Sequence, residues 1–579
     1  MEKRVTGGQL LASTLKTAKV SKVFALHGGH LEAFYKGCAE EGLALVDTRH
    51  EAVAGHAAEG YARATGKLGV CVITAGPGFG NAITAIMNAY LDASPVLFII
   101  GAAPLREAET NPLQGGFDQI AVATPISKRA FRITNTERIP DLIAMAIRTS
   151  MTGRRGPVVV EVPIDVLHMT VPLSAVTRPA GLFVAPKPAP SLDETRKLLD
   201  LLESAERPVI IAGGDARFSG CEAALKAFAE SSGIPVFQGK RGYGLLPAEH
   251  PLNGHDASNL GALTARAEQG ADLVILLGTR LGLFLGGRGN SVIPANAKLV
   301  QIYSDAAEIG RIRDVELAVA ADSDSTLKAL LTASAGKRWP NWKAWSEKVC
   351  NLKKELAENF RKVPAETPLG VHPYHAMAEV AQFFGSGAIY AVDGGEAGQW
   401  AVNHTVVDGP GRVQTTGYLG ALGVAQGYAI GAQVACPSDS VVLVTGDGSL
   451  GFQIQEFDSM VRHGLPITTV VLNNEIWGMS LHGQQIMYGE DYSAISRLGG
   501  TNYALIAEAF GCYGERVERL SEIIPALERA RASGKPACIE IMTDPDVVSP
   551  GLVRMLGNVA DDGSEIMIPY YENIPKSLG

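Results

Sequence analysis

The chain has 579 residues, of which 46% are hydrophobic and 19% charged, and its formal net charge is −9 at pH 7. This length exceeds a single hydrophobic core and predicts about three domains. The acidic balance excludes a basic nucleic-acid surface, and the longest nearly uncharged apolar run, 95–104, is too short to span a membrane. The seven cysteines are scattered without metal-ligand spacing, which predicts reduced thiols in a cytoplasmic protein.

The first predicted domain comprises residues 1–175. Short apolar strands alternate here with helical stretches, which favours a doubly wound parallel sheet. The predicted strands are 23–26, 44–47, 69–74, 96–100 and 157–162.

Two further domains follow a proline-rich stretch that predicts a linker before residue 191. The second α/β block spans 191–345 and the third spans 371–548. The tail, 549–579, differs in character from both. The sequence therefore predicts an α/β protein of three doubly wound domains with mainly parallel sheets, followed by a C-terminal tail.

Two turns in the third domain carry candidate ligands for a metal and a phosphate. The strand 441–445 ends in GDGS, and the strand 467–472 ends in NN. A right-handed crossover between parallel strands brings both strand ends to one edge of the sheet. Asp447 and Asn474 then offer hard oxygens that suit Mg²⁺, and the glycines let backbone N–H groups approach a phosphate.

Several stretches of the chain belong together as a set of motifs. They are HGGH, DTRHEAVAGHAAEGYARATGKLGV, ITAGPGFGNA, LQGGFDQ, GYLGALGVAQG and TGDGS with NNEIWGMSLHGQQ. This set resembles the thiamine diphosphate (ThDP) enzymes related to acetolactate synthase, benzaldehyde lyase and 2-hydroxyacyl-CoA lyase. The resemblance spans residues 6 to 544 and implies a pyrimidine-binding, a central and a diphosphate-binding domain. It also implies an active site between two chains, hence at least a homodimer and an expected homotetramer.

The resemblance implies ThDP and Mg²⁺ as cofactors. Asp447, the side chain of Asn474 and the carbonyl of Ile476 would be the metal ligands. The other residues expected on the diphosphate side are Gly394, Gly395, Glu396, Gly446, Gly448, Ser449, Trp477 and Gly478.

The resemblance places Glu51 against the pyrimidine ring, where its carboxylate would favour the reactive tautomer. Taken alone, Glu51 is typical of an acid at a helix N-terminus. The carbonyl of Gly420 would accept from the aminopyrimidine, and Leu422 would hold the cofactor bent. In such relatives the central domain binds a non-redox nucleotide (ADP or FAD) or nothing.

Three further residues are candidates for handling a small-molecule substrate. His30 follows the first strand and would transfer a hydroxyl proton or stabilise an oxyanion. Gln114 matches a position whose amide contacts substrate oxygens, and Glu490 is a third candidate. Alternatively, His30 is a structural residue, and Gln114 and Glu490 are ordinary loop residues without a role in catalysis.

Departures from the relatives bear on the reaction. Gly483 stands where acetolactate synthases have tryptophan, and Ile164, Gly398 and Thr416 stand where benzaldehyde lyase has bulky rings. Smaller side chains predict a wider pocket, which favours a 2-hydroxyacyl-CoA lyase that forms formyl-CoA and an aldehyde or ketone from a CoA thioester. The tail would then be a lid, or would pack on a neighbouring subunit.

Three alternatives remain open from the sequence. The first is an acyloin lyase or carboligase like benzaldehyde lyase. The second is an acetolactate synthase or a 2-keto acid decarboxylase. The third is a catalytically inactive protein that keeps the ThDP fold for binding, which the presence of Glu51, Asp447 and Asn474 disfavours.

Overall fold

The structure, a computed structural model, describes residues 2–108, 110–179, 185–266, 270–287, 289–556, 566–568 and 574–576. Three six-stranded sheets are found in these ranges, and every strand pair in them is parallel. The α/β class with three domains and mainly parallel sheets is confirmed. Among the described helices, none has the length and hydropathy needed to cross a membrane.

The first sheet carries helices on both faces. Its strands and those of a small antiparallel pair are β1 Arg4–Thr6, β2 Lys22–Ala25, β3 Ala44–Asp47, β4 Gly69–Ile73, β5 Val96–Ala102, β6 Arg129–Arg132, β7 Val158–Pro163 and β8 Thr170–Pro172. The helices are α1 Gly7–Thr17, α2 Glu32–Glu41, α3 Glu51–Thr65, α4 Pro77–Leu91, α5 Gln119–Ala123, α6 Ile139–Met151 and α7 Ile164–His168. The strand order is β3-β2-β4-β5-β7-β6, and β1 pairs with β8.

The central sheet has the order β11-β10-β9-β12-β13-β14. Its strands are β9 Pro208–Ala212, β10 Val236–Gln238, β11 Asn253–Asp256, β12 Leu273–Leu277, β13 Lys298–Tyr303 and β14 Leu317–Ala320. The helices are α8 Leu192–Ser204, α9 Gly214–Ser219, α10 Glu222–Ser232, α11 Leu260–Thr264, α12 Ser323–Ala333 and α13 Lys343–Phe360.

The third sheet has the order β18-β17-β19-β20-β22-β21. The remaining strands are β15 Glu366–Thr367, β16 Gly370–Val371, β17 Ile389–Val392, β18 Val413–Thr415, β19 Val441–Gly446, β20 Thr468–Asn473, β21 Tyr513–Val517, β22 Ala537–Met542, β23 Ile566–Ile568 and β24 Ile574–Lys576. The helices are α14 Pro373–Phe384, α15 Glu396–His404, α16 Ala425–Ala435, α17 Asp447–Gly451, α18 Glu456–Arg462, α19 Gly478–Tyr488, α20 Tyr503–Ala509, α21 Leu520–Ser533 and α22 Pro550–Leu556.

The first and third domains share one core along helices α3 and α16. A Cβ at Gly431 would lie 2.0 Å from the Ala57 carbonyl oxygen, and one at Gly60 would lie 2.6 Å from the Tyr428 backbone. Only residues without side chains allow this approach. The many small residues of α3 therefore serve to dock α16 and fix the two domains against each other.

Buried charges reinforce this contact between domains. The Arg63 guanidinium donates to the carboxylates of Glu59 and Asp92 and to the carbonyl of Thr415 in the third domain. Arg63, Glu59 and Asp92 are all buried. A buried charge is tolerated when it is paired and hydrogen-bonded, so the group links helix α3 to the third domain.

Candidate functional site

The carboxyl edge of the third sheet opens into a cavity of about 460 Å³. Strands β19 and β20 are neighbours, so the turns that follow them lie side by side in its wall. Helix α22 closes the other end of the cavity. The cofactor-binding residues expected in the third domain all line it: Gly394, Gly395, Glu396, Gly420, Leu422, Gly446, Asp447, Gly448, Ser449, Asn474, Ile476, Trp477 and Gly478.

Asp447 is the first residue of α17 and is only 3% exposed. Its burial raises the pKa of this carboxyl to about 7. No basic side chain forms an ion pair with it among the described residues. A buried carboxylate that lacks a cationic neighbour fits a site for a divalent metal ion, which also takes amide and backbone oxygens.

The two asparagines after β20 have different environments. The amide of Asn473 donates to Glu540 at 2.7 Å, and its oxygen accepts from the backbone N–H of Glu475 at 3.0 Å. Glu475 has a φ of +58°, which reverses the chain here. The side chain of Asn473 therefore has a structural role, whereas Asn474 lines the cavity beside Asp447.

Glycines bring the backbone close to the cavity. Gly394 has a φ of +88°, a conformation that other residues rarely adopt. A Cβ at Gly448 would lie 2.5 Å from the Trp477 ring. The absence of these side chains exposes backbone N–H groups to a bound anion, and this suits a diphosphate.

Glu396 is held by two partners that the sequence did not indicate. Its carboxylate accepts from the backbone N–H of Ser549 at 2.8 Å and lies 2.6 Å from Nδ1 of His482. The other ring nitrogen of His482 lies 2.8 Å from the carbonyl of Pro545. The Pro545 carbonyl and the ionised carboxylate of Glu396 both accept hydrogen bonds, so this environment favours the imidazolium form of His482, in which both ring nitrogens donate.

The electrostatics of this pair agree with its geometry. Burial alone would lower the pKa of His482, but its hydrogen bond to Glu396 and the charge of that carboxylate outweigh burial, so the pKa lies above 6.5. The positive charge therefore stabilises the folded state below the unfolded pKa of about 6.5. That contribution is lost as the pH rises through the folded pKa.

We expect His482→Gln to destabilise the protein at pH 6 by about 2 kcal/mol, because it removes a hydrogen bond between charged groups. The loss becomes smaller at pH 9, because the wild-type imidazole loses its charge as the pH rises through its folded pKa. Thermal unfolding of both proteins at one fixed concentration measures this difference. A loss that is the same at both pH values would contradict a charged His482.

Glu51 is the first residue of α3 and is buried. The Asn81 side chain donates to its carboxylate at 2.9 Å. A Cβ at Gly78 would lie 3.5 Å from the same carboxylate. The GPGFGN segment of α4 thus orients Glu51 and leaves room beside it.

His30 lies in a short 3-10 helix, Gly29–Leu31, and Gln114 lies in a turn of the same domain. Nδ1 of His30 is 3.1 Å from the Thr74 hydroxyl, and burial lowers the pKa of this histidine. Gln114 has a φ of +53°, which is uncommon for a residue other than glycine. Glu490, by contrast, is exposed in the third domain and does not line the cavity in the described part of the chain.

Glu51 does not line this cavity in the described part of the same chain. In the described ranges, every residue that lines the cavity lies between 373 and 556. The start of α3 instead contacts α18, where the backbone N–H of Arg49 donates to Glu456 at 3.1 Å. His30 and Gln114 also lie outside the cavity wall. Within one chain, the described cavity wall that carries Asp447 thus contains none of the three candidate residues of the first domain.

Some contacts around the site were not evident from the sequence. Asn81 lies inside the quoted ITAGPGFGNA segment, and its place one turn into a helix after a glycine-rich loop was a usable signal. The contact between His482 and Glu396 had no local signal, because the two residues lie 86 positions apart. The tail that was expected to form a lid or a subunit contact includes α22, but no local pattern indicated which of its residues line the cavity.

Glycine-rich turns around a buried aspartate, at the carboxyl edge of a parallel sheet, define an α/β enzyme built to bind a diphosphate. The chain matches thiamine pyrophosphate enzymes in three segments: the N-terminal TPP binding domain over residues 5–122, the central domain over 195–330 and the C-terminal TPP binding domain over 393–541. The protein belongs to the ThDP-dependent enzymes of the acetolactate synthase and benzaldehyde lyase superfamily.

The chain is similar to known proteins over nearly its whole length. The acetolactate synthase large subunit IlvG of Mycobacterium tuberculosis is 34% identical over 94% of this chain and 96% of its own. A probable acetolactate synthase large subunit of Methanocaldococcus jannaschii is 30% identical over 94% and 93%. The acetolactate synthase isozyme 2 large subunit of Escherichia coli is 28% identical over 93% and 96%.

The prediction of a 2-hydroxyacyl-CoA lyase is wrong, because these relatives point to acetolactate synthase. It depended on a pocket widened at four positions. A Cβ at Gly483 would lie 3.6 Å from Cδ1 of Leu556, so the helix α22 fills the space in front of this glycine. Ile164, Gly398 and Thr416 do not line the cavity in the described part of the chain. The four small residues therefore do not widen this cavity in the way that the prediction of a CoA thioester substrate required.

Proposed function

We propose that the protein is an acetolactate synthase, which joins two 2-keto acid molecules and releases CO₂. With pyruvate, two anions and one proton give one acetolactate and one CO₂. The observation that carries the proposal is similarity to acetolactate synthases over nearly the whole chain. The presence of Glu51, Asp447 and Asn474, the expected cofactor-binding residues, supports it.

The cavity residues support ThDP and Mg²⁺ as the cofactors. Asp447, the Asn474 amide oxygen and the Ile476 carbonyl would hold Mg²⁺, and the glycine turns would bind the diphosphate. Bound ThDP supplies a nucleophilic carbon and an electron sink for cleaving the bond to a carboxylate. In the described residues no group of three or more His, Cys, Asp or Glu side chains forms an alternative metal site.

The pyrimidine domain supplies the proton-handling groups in this proposal. Glu51, oriented by Asn81, would hold the aminopyrimidine in its reactive tautomer. His30 and Gln114 would face the substrate, where a largely neutral imidazole can accept or donate a proton. Glu490 stays a prediction for this step.

The separation of Glu51 from the cavity supports a homodimer in which each site uses two chains, and a homotetramer stays the expected larger assembly. A mixture of Glu51→Gln and Asp447→Asn chains tests it. Random pairing gives mixed dimers in which one of two sites is intact, so about a quarter of the wild-type activity returns. If mixing restores no activity although mixed dimers form, sites shared between chains are excluded.

A non-redox nucleotide, ADP or FAD, is the further ligand proposed for the central domain. The loops after the adjacent strands β9 and β12 contain Gly213 and Gly278, at a position where α/β sheets bind nucleotides. Chromatography of the supernatant after denaturation would detect a released flavin or ADP. The cytoplasmic location stays a prediction.

The experiment that tests the proposed function offers pyruvate, aliphatic acyloins and aromatic acyloins in parallel to the protein with ThDP and Mg²⁺. Mass spectrometry identifies the products. We expect acetolactate from pyruvate. Aldehydes formed from acyloins, without acetolactate from pyruvate, would instead assign a lyase like benzaldehyde lyase.

A further inference from the structure

Helix α22 forms one end of the cavity that carries the cofactor-binding turns. Leu552, Met555 and Leu556 line this end. Leu552 is 2% exposed and Leu556 is 7% exposed, and both pack in an apolar cluster. The other members of the cluster are Met479, Ile486, Met487 and Val548.

Leu556 stands opposite a glycine on the facing helix. Gly483 of α19 is buried and lines the same cavity. A Cβ added to it would lie 3.6 Å from Cδ1 of Leu556. Apart from its own helix, it would have no other contact within 4 Å among the residues that the structure describes. The Leu556 side chain therefore forms the apolar surface of the cavity that a larger side chain at position 483 would otherwise form.

The start of α22 is fixed by hydrogen bonds to α15. The Ser549 backbone N–H donates to Glu396, its hydroxyl donates to the side-chain oxygen of Gln399, and the Leu552 N–H donates to the same hydroxyl. A Cβ at Gly551 would lie 2.2 Å from the Gln399 oxygen. Because Glu396 is also bound to His482, the helix is seated by buried polar contacts rather than by apolar contact alone.

We infer that α22 is the specificity-determining wall of the substrate pocket and that Leu556 limits the length of the 2-keto acid that the enzyme accepts. This inference rests on the proposed function, because it names the substrate class of the same site. A leucine truncated to alanine leaves space for additional methylene groups of a substrate. Each methylene that an apolar pocket accommodates changes selectivity by roughly tenfold or more.

The test compares Leu556→Ala with Val553→Ala, a matched control on the same helix. Val553 is 37% exposed and does not line the cavity in the described part of the chain. The readout is kcat/KM for 2-oxohexanoate divided by kcat/KM for pyruvate. We expect this ratio to rise about tenfold in Leu556→Ala and to stay unchanged in Val553→Ala.

Gly483→Ala provides a second variant with the opposite expectation. Its methyl group fits at ordinary contact distance from Leu556, so the fold tolerates it while the pocket narrows. The ratio should then fall below the wild-type value. An unchanged ratio in both Leu556→Ala and Gly483→Ala would overturn the inference, as would an equal rise in Val553→Ala.

Binding of the same acids to Glu51→Gln protein loaded with ThDP and Mg²⁺ separates this inference from the proposed function. If wild-type protein makes no acetolactate but Leu556→Ala still gains affinity for the longer acid, the proposed function is wrong and the role of Leu556 is supported. If wild-type protein makes acetolactate but Leu556→Ala leaves the ratio of affinities for the longer acid and pyruvate unchanged, the proposed function is supported and the role of Leu556 is wrong. If none of the acids binds, both are overturned.

Discussion

Replacing Glu51 by glutamine should reduce turnover about a thousandfold, the scale of a lost acid–base group. The amide has nearly the shape of the carboxylate and can still accept from Asn81, so the fold and the affinity for ThDP should persist. Steady-state kinetics measure turnover, and calorimetry measures cofactor binding.

The matched control for this variant is Glu32→Gln. Glu32 is likewise the first residue of a helix in the same domain, but its side chain is 55% exposed and pairs with His27. Turnover should not change in the control. Wild-type turnover in Glu51→Gln would exclude the ThDP mechanism proposed for this chain.

Replacing Asp447 by asparagine should weaken binding of ThDP at fixed Mg²⁺ by roughly a hundredfold or more, because the metal loses a buried anionic partner worth about 3 kcal/mol. The protein without cofactors should lose no stability, since a buried carboxylate lacking a cation is itself unfavourable. Calorimetric titration and thermal unfolding measure the two effects.

Asp491→Asn is the control for charge alone, since Asp491 is exposed and does not line the cavity in the described part of the chain. Its affinity for ThDP should equal that of the wild type. Equal losses of affinity in both aspartate variants would show that the effect at Asp447 arises from net charge and not from metal binding.

The parts of the fold that the sequence predicts are those with strong local signals. The apolar runs at 441–445 and 467–472 become β19 and β20, shifted by one residue or less at each end. The edge strand β6, with the sequence RAFR, was missed because its polar residues form no apolar run. The edge strand β3, with the sequence ALVD, was predicted because its first three residues are apolar. An apolar run, and not the length of a strand, made it visible.

In the candidate site, the sequence indicated the residues that lie in short motifs but not the contacts between residues far apart in the chain. Short motifs indicated Asp447 and Asn474, since both follow strands that are adjacent in the sheet. No local pattern could reveal that Leu556 faces Gly483, 73 positions earlier in the numbering. The incorrect inference of a wide pocket followed from this gap, because a small residue leaves a space only if no distant side chain fills it.

The stoichiometry of pyruvate conversion tests the proposed function most directly. Pyruvate labelled with ¹³C at its carboxylate is supplied with ThDP and Mg²⁺, and CO₂ and products are quantified together. The proposal predicts one labelled CO₂ for every two pyruvates consumed, with the other label kept in the carboxylate of acetolactate. One labelled CO₂ for every pyruvate, with acetaldehyde as the product, would contradict it and assign a decarboxylase.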